Sequence, residues 1–194
     1  MGAKYDIKFK FDIDKVKNLF IILCKSIPGL DILKIVKLCY FIDKKYLLKY
    51  GRIITGDVYY KLPNGPVPTK IYDILKAIRG DRNHVCNDYL EVVNNVIKAE
   101  RPDPKTNFIT MAEPNLDVFS QSELDVIHSV LNDYNSTQAL ELADITHKEA
   151  SFLKSSPNSP IDFYLFFEGE EISEDIISIM EEEQENRDFL ESFK

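Results

Sequence analysis

The chain of 194 residues contains no tryptophan, only seven glycines and only three cysteines, and no long apolar run. No stretch approaches the roughly 20 uninterrupted apolar residues that a membrane span needs. Cys24, Cys39 and Cys86 form neither an even set nor a metal-type spacing, so they predict no disulfide framework and no zinc site. The first residues, MGAKYDIKFKFDID, lack the apolar core of a secretion signal. These absences predict a cytoplasmic protein without a metal or another cofactor.

Charge is unevenly distributed along the chain, whose formal net charge is −8. Residues 1–50 hold eleven lysines and five aspartates, whereas residues 168–194 hold eleven acids and two bases. The chain therefore lacks the overall basic character of a nucleic-acid-binding domain. We expect either that the acidic segment folds back on the basic half or that it binds a basic partner. Neither nucleic acid nor a membrane is expected as a partner.

Two helices are predicted in the first 50 residues. Asp12 or Asp14 can cap the first, KVKNLFIILCKSI, which ends before Pro28 because the residue preceding a proline disfavours the helical conformation. The second, DILKIVKLCYFIDKKYLLKY, is followed by Gly51 as a C-terminal cap. Its apolar residues nearly encircle it, so we expect a central helix with one solvated stripe of lysines. That stripe consists of Lys34, Lys37, Lys44 and Lys45.

Short strands and further helices follow. Residues 58–62 alternate apolar and polar side chains, and VIKA and FITMA form two more candidate strands around a polar loop. We expect these three strands to form one small antiparallel sheet. Ser120 with Glu123, and Thr146 with Glu149, have capping-box spacing at the start of later helices. The predicted fold class is α+β, mainly α, with a two- or three-stranded antiparallel sheet.

The segment YGRIITGDVYYKLPNGPVPTKIYDIL concentrates glycine and proline in one place. Gly56 allows a sharp turn before the strand, Asn64-Gly65 turns the chain, and Pro66 and Pro68 keep it extended up to the next helix. Each of these residues therefore has a structural role, and the segment needs no catalytic one.

The same segment carries several tyrosines on a rigid backbone between two helices. Tyrosines that are already ordered lose little entropy on binding, so they make good contacts for a protein partner. The predicted partner-binding tyrosines are Tyr50, Tyr59 and Tyr60.

Few residues suggest catalysis, because the sequence has no glycine-rich phosphate loop, no metal-ligand spacing and no nucleophile elbow. Asp43 lies inside the apolar part of the second helix, as a catalytic or partner-binding acid or as an acceptor that fixes the glycine-rich loop. His147, predicted in the first turn of a helix, is a candidate general base or a group that bonds a neighbouring loop. An enzyme would need Asp43, Asp57 and His147 in one pocket. We expect no catalytic residues.

The C-terminal extension, residues 156–194, is predicted to contain an acidic helix over 174–193. We expect it to pack on the domain formed by residues 1–155. Its apolar side would hold Ile176, Met180, Phe189, Leu190 and Phe193. Phe189 and Phe193 are candidate contacts for a partner, and the alternative is that the helix packs on the lysine-rich N-terminal helices.

The stretch from Lys37 to Leu75 resembles the characteristic segment of the Panacea domain, the family of SocA-like antitoxins, and the likeness extends over residues 12–153. The matching helix residues are Lys37, Leu38, Tyr40 and Asp43; those of the loop are Tyr50, Gly51, Thr55, Gly56, Gly65, Pro66, Val67 and Pro68, and Asp57 lies among them. ELADITH, ending at His147, resembles the family's second block. Where the family often has a tryptophan after this histidine, the chain has Phe152.

The resemblance implies a mainly helical domain with a small sheet. It also implies an antitoxin of bacteria and their phages that neutralises a cognate protein toxin by direct contact. Some members of the family instead deliver the toxin to a protease. The family supplies no catalytic residues to carry over to this chain.

Overall fold

Helices α1 (Ile13–Ser26) and α2 (Ile32–Tyr50) form the centre of the fold. A computed structural model describes residues 7–81, 87–103, 105–171 and 174–193. Asp12 and Asp31 are the N-caps, and their side chains accept hydrogen bonds from first-turn backbone N–H groups at 3.0 Å and 2.7 Å. Gly51 ends α2 in the left-handed conformation, with φ 69°. The two predicted helices are therefore confirmed.

The other elements follow in chain order. They are β1 (Tyr59–Leu62), β2 (Gly65–Pro68), α3 (Thr69–Arg79), α4 (Asn87–Val93), β3 (Ile97–Ala99), β4 (Phe108–Thr110), α5 (Gln121–Tyr134), α6 (Ala139–Thr146), α7 (Ala150–Leu153) and α8 (Glu174–Glu191), with short 3-10 helices at Leu116–Val118 and Phe163–Phe166. Helix α2 packs against α3, α5, α6, α8 and β2, and its buried side chains lie at the middle of one apolar core. The α+β, mainly α class is confirmed.

The strands form two separate antiparallel pairs, so the expected single sheet is wrong in its pairing. In the first pair Tyr60 of β1 lies opposite Val67 of β2, and in the second Lys98 of β3 lies opposite Ile109 of β4. The turn at Pro63 and Asn64 folds the chain back at once, and β1 therefore pairs with the adjacent segment. The VIKA and FITMA strands are confirmed as β3 and β4.

The second edge of β1 is covered by residues 158–161. The backbone N–H groups of Lys61 and Ile161 donate to the carbonyls of Ser159 and Tyr59 at 3.0 Å and 2.7 Å, and Asn158 N–H donates to Lys61 at 2.9 Å. These bonds satisfy backbone groups that an open edge strand would leave unpaired. The segment that follows residue 155 is thus hydrogen-bonded to the first hairpin.

Of the two predicted capping boxes, one is present. Ser120 and Glu123 bond each other's backbone N–H groups at the start of α5. The second is wrong, because the Thr146 hydroxyl donates to the Ala143 carbonyl at 2.8 Å and Thr146 is the last residue of α6. Glu149 precedes α7 but makes no side-chain cap bond.

Helix α8 lies against the C-terminal end of α2. Met180 is fully buried, and the side chain of Gln184 accepts the Lys8 backbone N–H at 2.8 Å. Arg52, just after α2, forms an ion pair with Glu183. Within the described part of the chain, none of the helices combines the length and the apolar character of a membrane span.

Candidate partner-binding site

Asp43 is fully buried in α2 and holds the loop that follows this helix. Its Oδ1 accepts the backbone N–H groups of Ile54 and Thr55 at 2.8 Å and 3.0 Å. Its Oδ2 accepts the hydroxyl of Tyr59 at 2.7 Å and that of Thr55. Burial raises the pKa of the Asp43 carboxyl, and the hydrogen bonds offset part of that increase. The structural alternative for Asp43, an acceptor that fixes the loop, describes these contacts.

Asp57 joins the same loop to α3. Its carboxylate accepts the backbone N–H groups of Lys70 and Ile71, in the first turn of α3, at 3.2 Å and 2.8 Å. It also accepts the N–H of Val58 at 2.7 Å. The first turn of a helix leaves N–H groups without helical partners, so Asp57 stabilises the start of α3. Burial raises the pKa of Asp57 to about 6.

Lys37 is fully buried, so the expectation of a solvated side chain is wrong for this member of the lysine stripe. Its Nζ donates to the carbonyl of Pro66 in β2 at 2.8 Å. Burial lowers the pKa of Lys37 to about 7, and the charge of Glu149 partly opposes that shift. Strand β2 therefore covers the amine.

Gly65 permits the close approach of β2 to Lys37. A Cβ atom at this position would lie 2.5 Å from both Lys37 Nζ and Thr146 Oγ1, and the backbone has φ 100°. Both the space and the conformation therefore require glycine. The turn predicted at Asn64-Gly65 thus also serves tertiary packing.

Tyr59 is fully buried, and the expectation that it belongs to a partner-binding surface is wrong. Besides its bond to Asp43, its hydroxyl lies 3.1 Å from the Cys39 carbonyl, to which it can donate. Tyr50 and Tyr60 are half-buried, and Tyr50 packs on the Tyr46 ring at a centroid distance of 4.7 Å. The segment therefore offers less tyrosine surface than its sequence suggests.

His147 lies at the C-terminal end of α6 and not in the first turn of a helix, because the predicted capping box is absent. Its ring stacks on Phe152, with centroids 4.4 Å apart and planes at 30°. Its Nε2 is buried and has no hydrogen-bond partner among the described residues. The contact with Phe152, the residue noted where the family often has tryptophan, makes this ring part of the packing.

A polar network that sequence reasoning missed connects α2 to the region around α7. The Tyr40 hydroxyl bonds Glu149 and lies 2.7 Å from Ser151 Oγ. Lys44 Nζ lies 3.1 Å from Glu149 and 2.8 Å from Glu170. These groups come from positions more than 100 residues apart, so no spacing in the sequence indicates that they meet. A cleft of about 280 Å³ lies beside them.

The enzyme alternative requires Asp43, Asp57 and His147 to face one pocket, whereas their described contacts are with groups of the protein itself. Asp43 and Asp57 are linked through Thr55, whose hydroxyl donates to Asp43 and accepts the Asp57 N–H at 3.2 Å, but both carboxylates are buried. The ring of His147 packs on Phe152. In the described ranges, no three His, Cys, Asp or Glu residues are grouped so that they could hold a metal. Cys86 lies outside these ranges.

A family model described as antitoxin SocA-like, Panacea domain, matches residues 35–151, more than half of the chain. The chain belongs to this family. No curated protein and no solved structure matches it significantly.

The residues that match the Panacea domain include the buried polar side chains that connect α2 to the following loop, to β2 and to α3. Asp43, Thr55 and Asp57 tie α2, the loop and α3 together, and Lys37 ties α2 to β2. The resemblance noted in the sequence therefore involves residues with defined tertiary contacts. Helix α8 lies outside the matched residues.

Phe189 of α8 and Phe193, two residues after its end, do not share the buried face of this helix. Met180 is buried and Ile176 is half-buried, whereas Phe189 and Phe193 are 63% and 72% exposed. Leu190 is also 63% exposed. The predicted apolar side is therefore divided: one part contacts α2 and the other part faces solvent.

Proposed function

We propose that this protein is an antitoxin that neutralises a cognate protein toxin by direct binding. Membership of the SocA-like antitoxin family supports an antitoxin-type role. The observation that carries the proposal further is what the two buried acids bind. Asp43 accepts hydrogen bonds from backbone N–H groups of the loop, and Asp57 accepts them from the first turn of α3. Groups engaged in this way hold a scaffold in shape, which supports a binding role for the protein.

The binding unit includes the domain of residues 1–155 together with the extension that follows it. The edge of β1 is hydrogen-bonded to residues 158–161, Lys44 pairs with Glu170, and Arg52 pairs with Glu183. A rigid scaffold lowers the entropy that is lost when a partner docks on it. The proposed contact residues are Tyr50 at the end of α2, Tyr60 on β1, Phe189 on α8 and Phe193 just after it.

Co-expression with the product of the adjacent reading frame, induced as the candidate toxin, tests this function. The wild-type chain should restore growth, and the two proteins should co-purify. Asp57→Asn should restore growth poorly because the start of α3 is destabilised, whereas Asp144→Asn, an exposed acid on α6, should behave as wild type. Absence of both rescue and complex formation would refute the proposal.

The alternative within the same family is delivery of the toxin to a protease. The amount of toxin during rescue separates the two mechanisms. Simple occlusion, which we propose, leaves the toxin at an unchanged level in an inactive complex. Loss of toxin that depends on this protein and stops when the host protease is deleted would establish delivery instead.

A further inference from the structure

Helix α8 docks on the domain through one face. Met180 is fully buried and Gln184 is 4% exposed. The guanidinium of Arg187 lies over the ring of Phe9, 5.1 Å from its centroid. Positions 180, 184 and 187 fall on one side of an α-helix, because residues three or four apart share a face.

The opposite face of α8 forms an outer stripe that changes in character along its length. At 100° per residue, this face carries two exposed acids and then the ring of Phe189, and Phe193 follows two residues after the helix ends at Glu191. The outer stripe consists of Asp175, Glu182, Phe189 and Phe193, all of them exposed. The rings of Phe189 and Phe193 pack edge to face with centroids 4.8 Å apart, so they form one apolar knob.

The acids of this helix outnumber its bases, and one of them, Glu183, pairs with Arg52. Residues 174–193 contain eight acids and one base. Several lysines of the N-terminal half form ion pairs with acids that lie outside α8. Lys15 bonds Glu123, Lys25 bonds Glu113 and Lys45 bonds Asp133. The alternative in which α8 packs on the lysine-rich N-terminal helices therefore accounts for one face of this helix, whereas Asp175 and Glu182 on the other face are exposed.

We propose that the outer stripe is the toxin-docking surface and that the toxin meets it with a basic face around an apolar cleft. This inference rests on the proposed antitoxin function and specifies the chemistry of the partner. Charge complementarity favours such a partner over a second copy of this chain, whose stripe has the same negative charge. The phenylalanine pair supplies the apolar anchor, since buried aromatic side chains carry much of the energy of protein interfaces.

Two double variants separate the apolar and the electrostatic contributions. Phe189→Ser with Phe193→Ser should weaken toxin binding by about 30-fold or more, as expected for the loss of hot-spot contacts. Asp175→Asn with Glu182→Gln should lower affinity several-fold and make binding less sensitive to salt, because exposed charges act through screened interactions. Affinities for the purified toxin would be measured at 50–300 mM NaCl, roughly the range in which screening changes most.

Matched controls exist on α6 and α7. Glu141→Gln with Asp144→Asn removes the same charge, and Leu140→Ser with Leu153→Ser removes exposed apolar side chains of 69% and 63% exposure. Both control variants should bind as wild type. Heparin, used as a soluble polyanion, should compete with the wild-type chain for the toxin. Unchanged circular dichroism and thermal midpoints would show that all the variants fold.

The outcomes distinguish this inference from the function on which it depends. If the wild-type chain neither rescues growth nor binds the toxin, the proposed function fails. If wild-type and stripe variants bind the toxin equally well, or heparin does not compete, the docking surface lies elsewhere and the antitoxin function stands. If sedimentation shows a wild-type dimer that the phenylalanine changes dissociate, the stripe is occupied by a second copy and the inference is overturned.

Discussion

The hydroxyl of Tyr59 donates a 2.7 Å hydrogen bond to Asp43 across the buried space between β1 and α2. Both residues are fully buried, and both belong to the part of the chain that matches the Panacea domain. Because the donor and the acceptor satisfy each other, the pair stabilises the fold without presenting a group to solvent. Burial and the negative charge of Asp43 raise the pKa of the Tyr59 hydroxyl well above its usual value, so the phenol keeps its proton.

Removal of this hydroxyl should lower stability and leave toxin binding intact. Tyr59→Phe leaves Asp43 one donor short, and we expect a loss of about 1–2 kcal/mol in the free energy of unfolding, measured in urea. Tyr60→Phe, at the neighbouring and half-buried position of β1, is the matched control and should stay within about 0.5 kcal/mol of wild type. A loss of affinity for the toxin in a folded Tyr59→Phe protein would contradict the buried role.

Asp57→Asn should destabilise the protein, because an amide NH₂ group would face backbone donors at the start of α3. At neutral pH we expect a loss of about 2–4 kcal/mol, since buried N–H groups would be left unsatisfied. The difference from wild type should also depend on pH. The pKa of Asp57 is about 6 in the folded state and about 3.9 in an unfolded chain, so the folded wild type binds more protons between these values.

The sign of this dependence follows from proton binding. Wild-type stability relative to Asp57→Asn should fall as pH rises from about 4 to about 6 and then level off. Urea unfolding at half-unit pH steps measures the difference. A relative stability that rises with pH over this interval would show that the hydrogen bonds outweigh burial at this carboxyl.

Lys37 should give the opposite pH dependence. Its pKa is about 7 in the folded state and about 10.4 in an unfolded chain, so the unfolded chain binds more protons between these values. Wild-type stability relative to Lys37→Met should therefore increase from pH 7 to pH 9. The exposed Lys105→Met should show no such trend. A flat difference for Lys37→Met in the same urea titrations would mean that the amine titrates at an ordinary pKa.

Gly56 should be far more sensitive to substitution than Gly29, although both have positive φ, 68° and 76°. A Cβ at Gly56 would overlap the Lys10 carbonyl, whereas one at Gly29 would meet no atom within 4 Å. Gly29→Ala should cost about 1–2 kcal/mol of backbone strain. Gly56→Ala should cost more than about 4 kcal/mol because backbone must also move. Similar thermal midpoints for the two variants would show that residues 10–11 do not pack on Gly56 in solution.

Several features follow from the sequence because they depend on neighbours in the chain. The cap at Asp12, one of the two candidates for α1, the cap at Ser120 and the stop at Gly51 are read correctly, since a cap bonds N–H groups only two or three residues away. For Asp43, the sequence offers the loop-acceptor role as one of two alternatives, because a carboxylate inside an apolar helix requires donors and the next loop is the nearest source.

Other features were decided only by contacts between distant segments. In the sequence Lys37 and Lys34 belong to the same predicted lysine stripe. Only Lys37 is fully buried, because the β1–β2 hairpin turns back over it and β2 covers its amine. Glu149 accepts a hydrogen bond from Tyr40, which lies 109 positions away in the sequence, and no local pattern indicates this contact.

The sequence by itself determined where most helices begin and end, the turn at Asn64-Gly65 and the acidity of α8. The tertiary structure decided which tyrosines are buried, how the strands pair, and which face of α8 points outward. Local patterns act over three or four residues, whereas burial depends on how helices and strands far apart in the chain pack together.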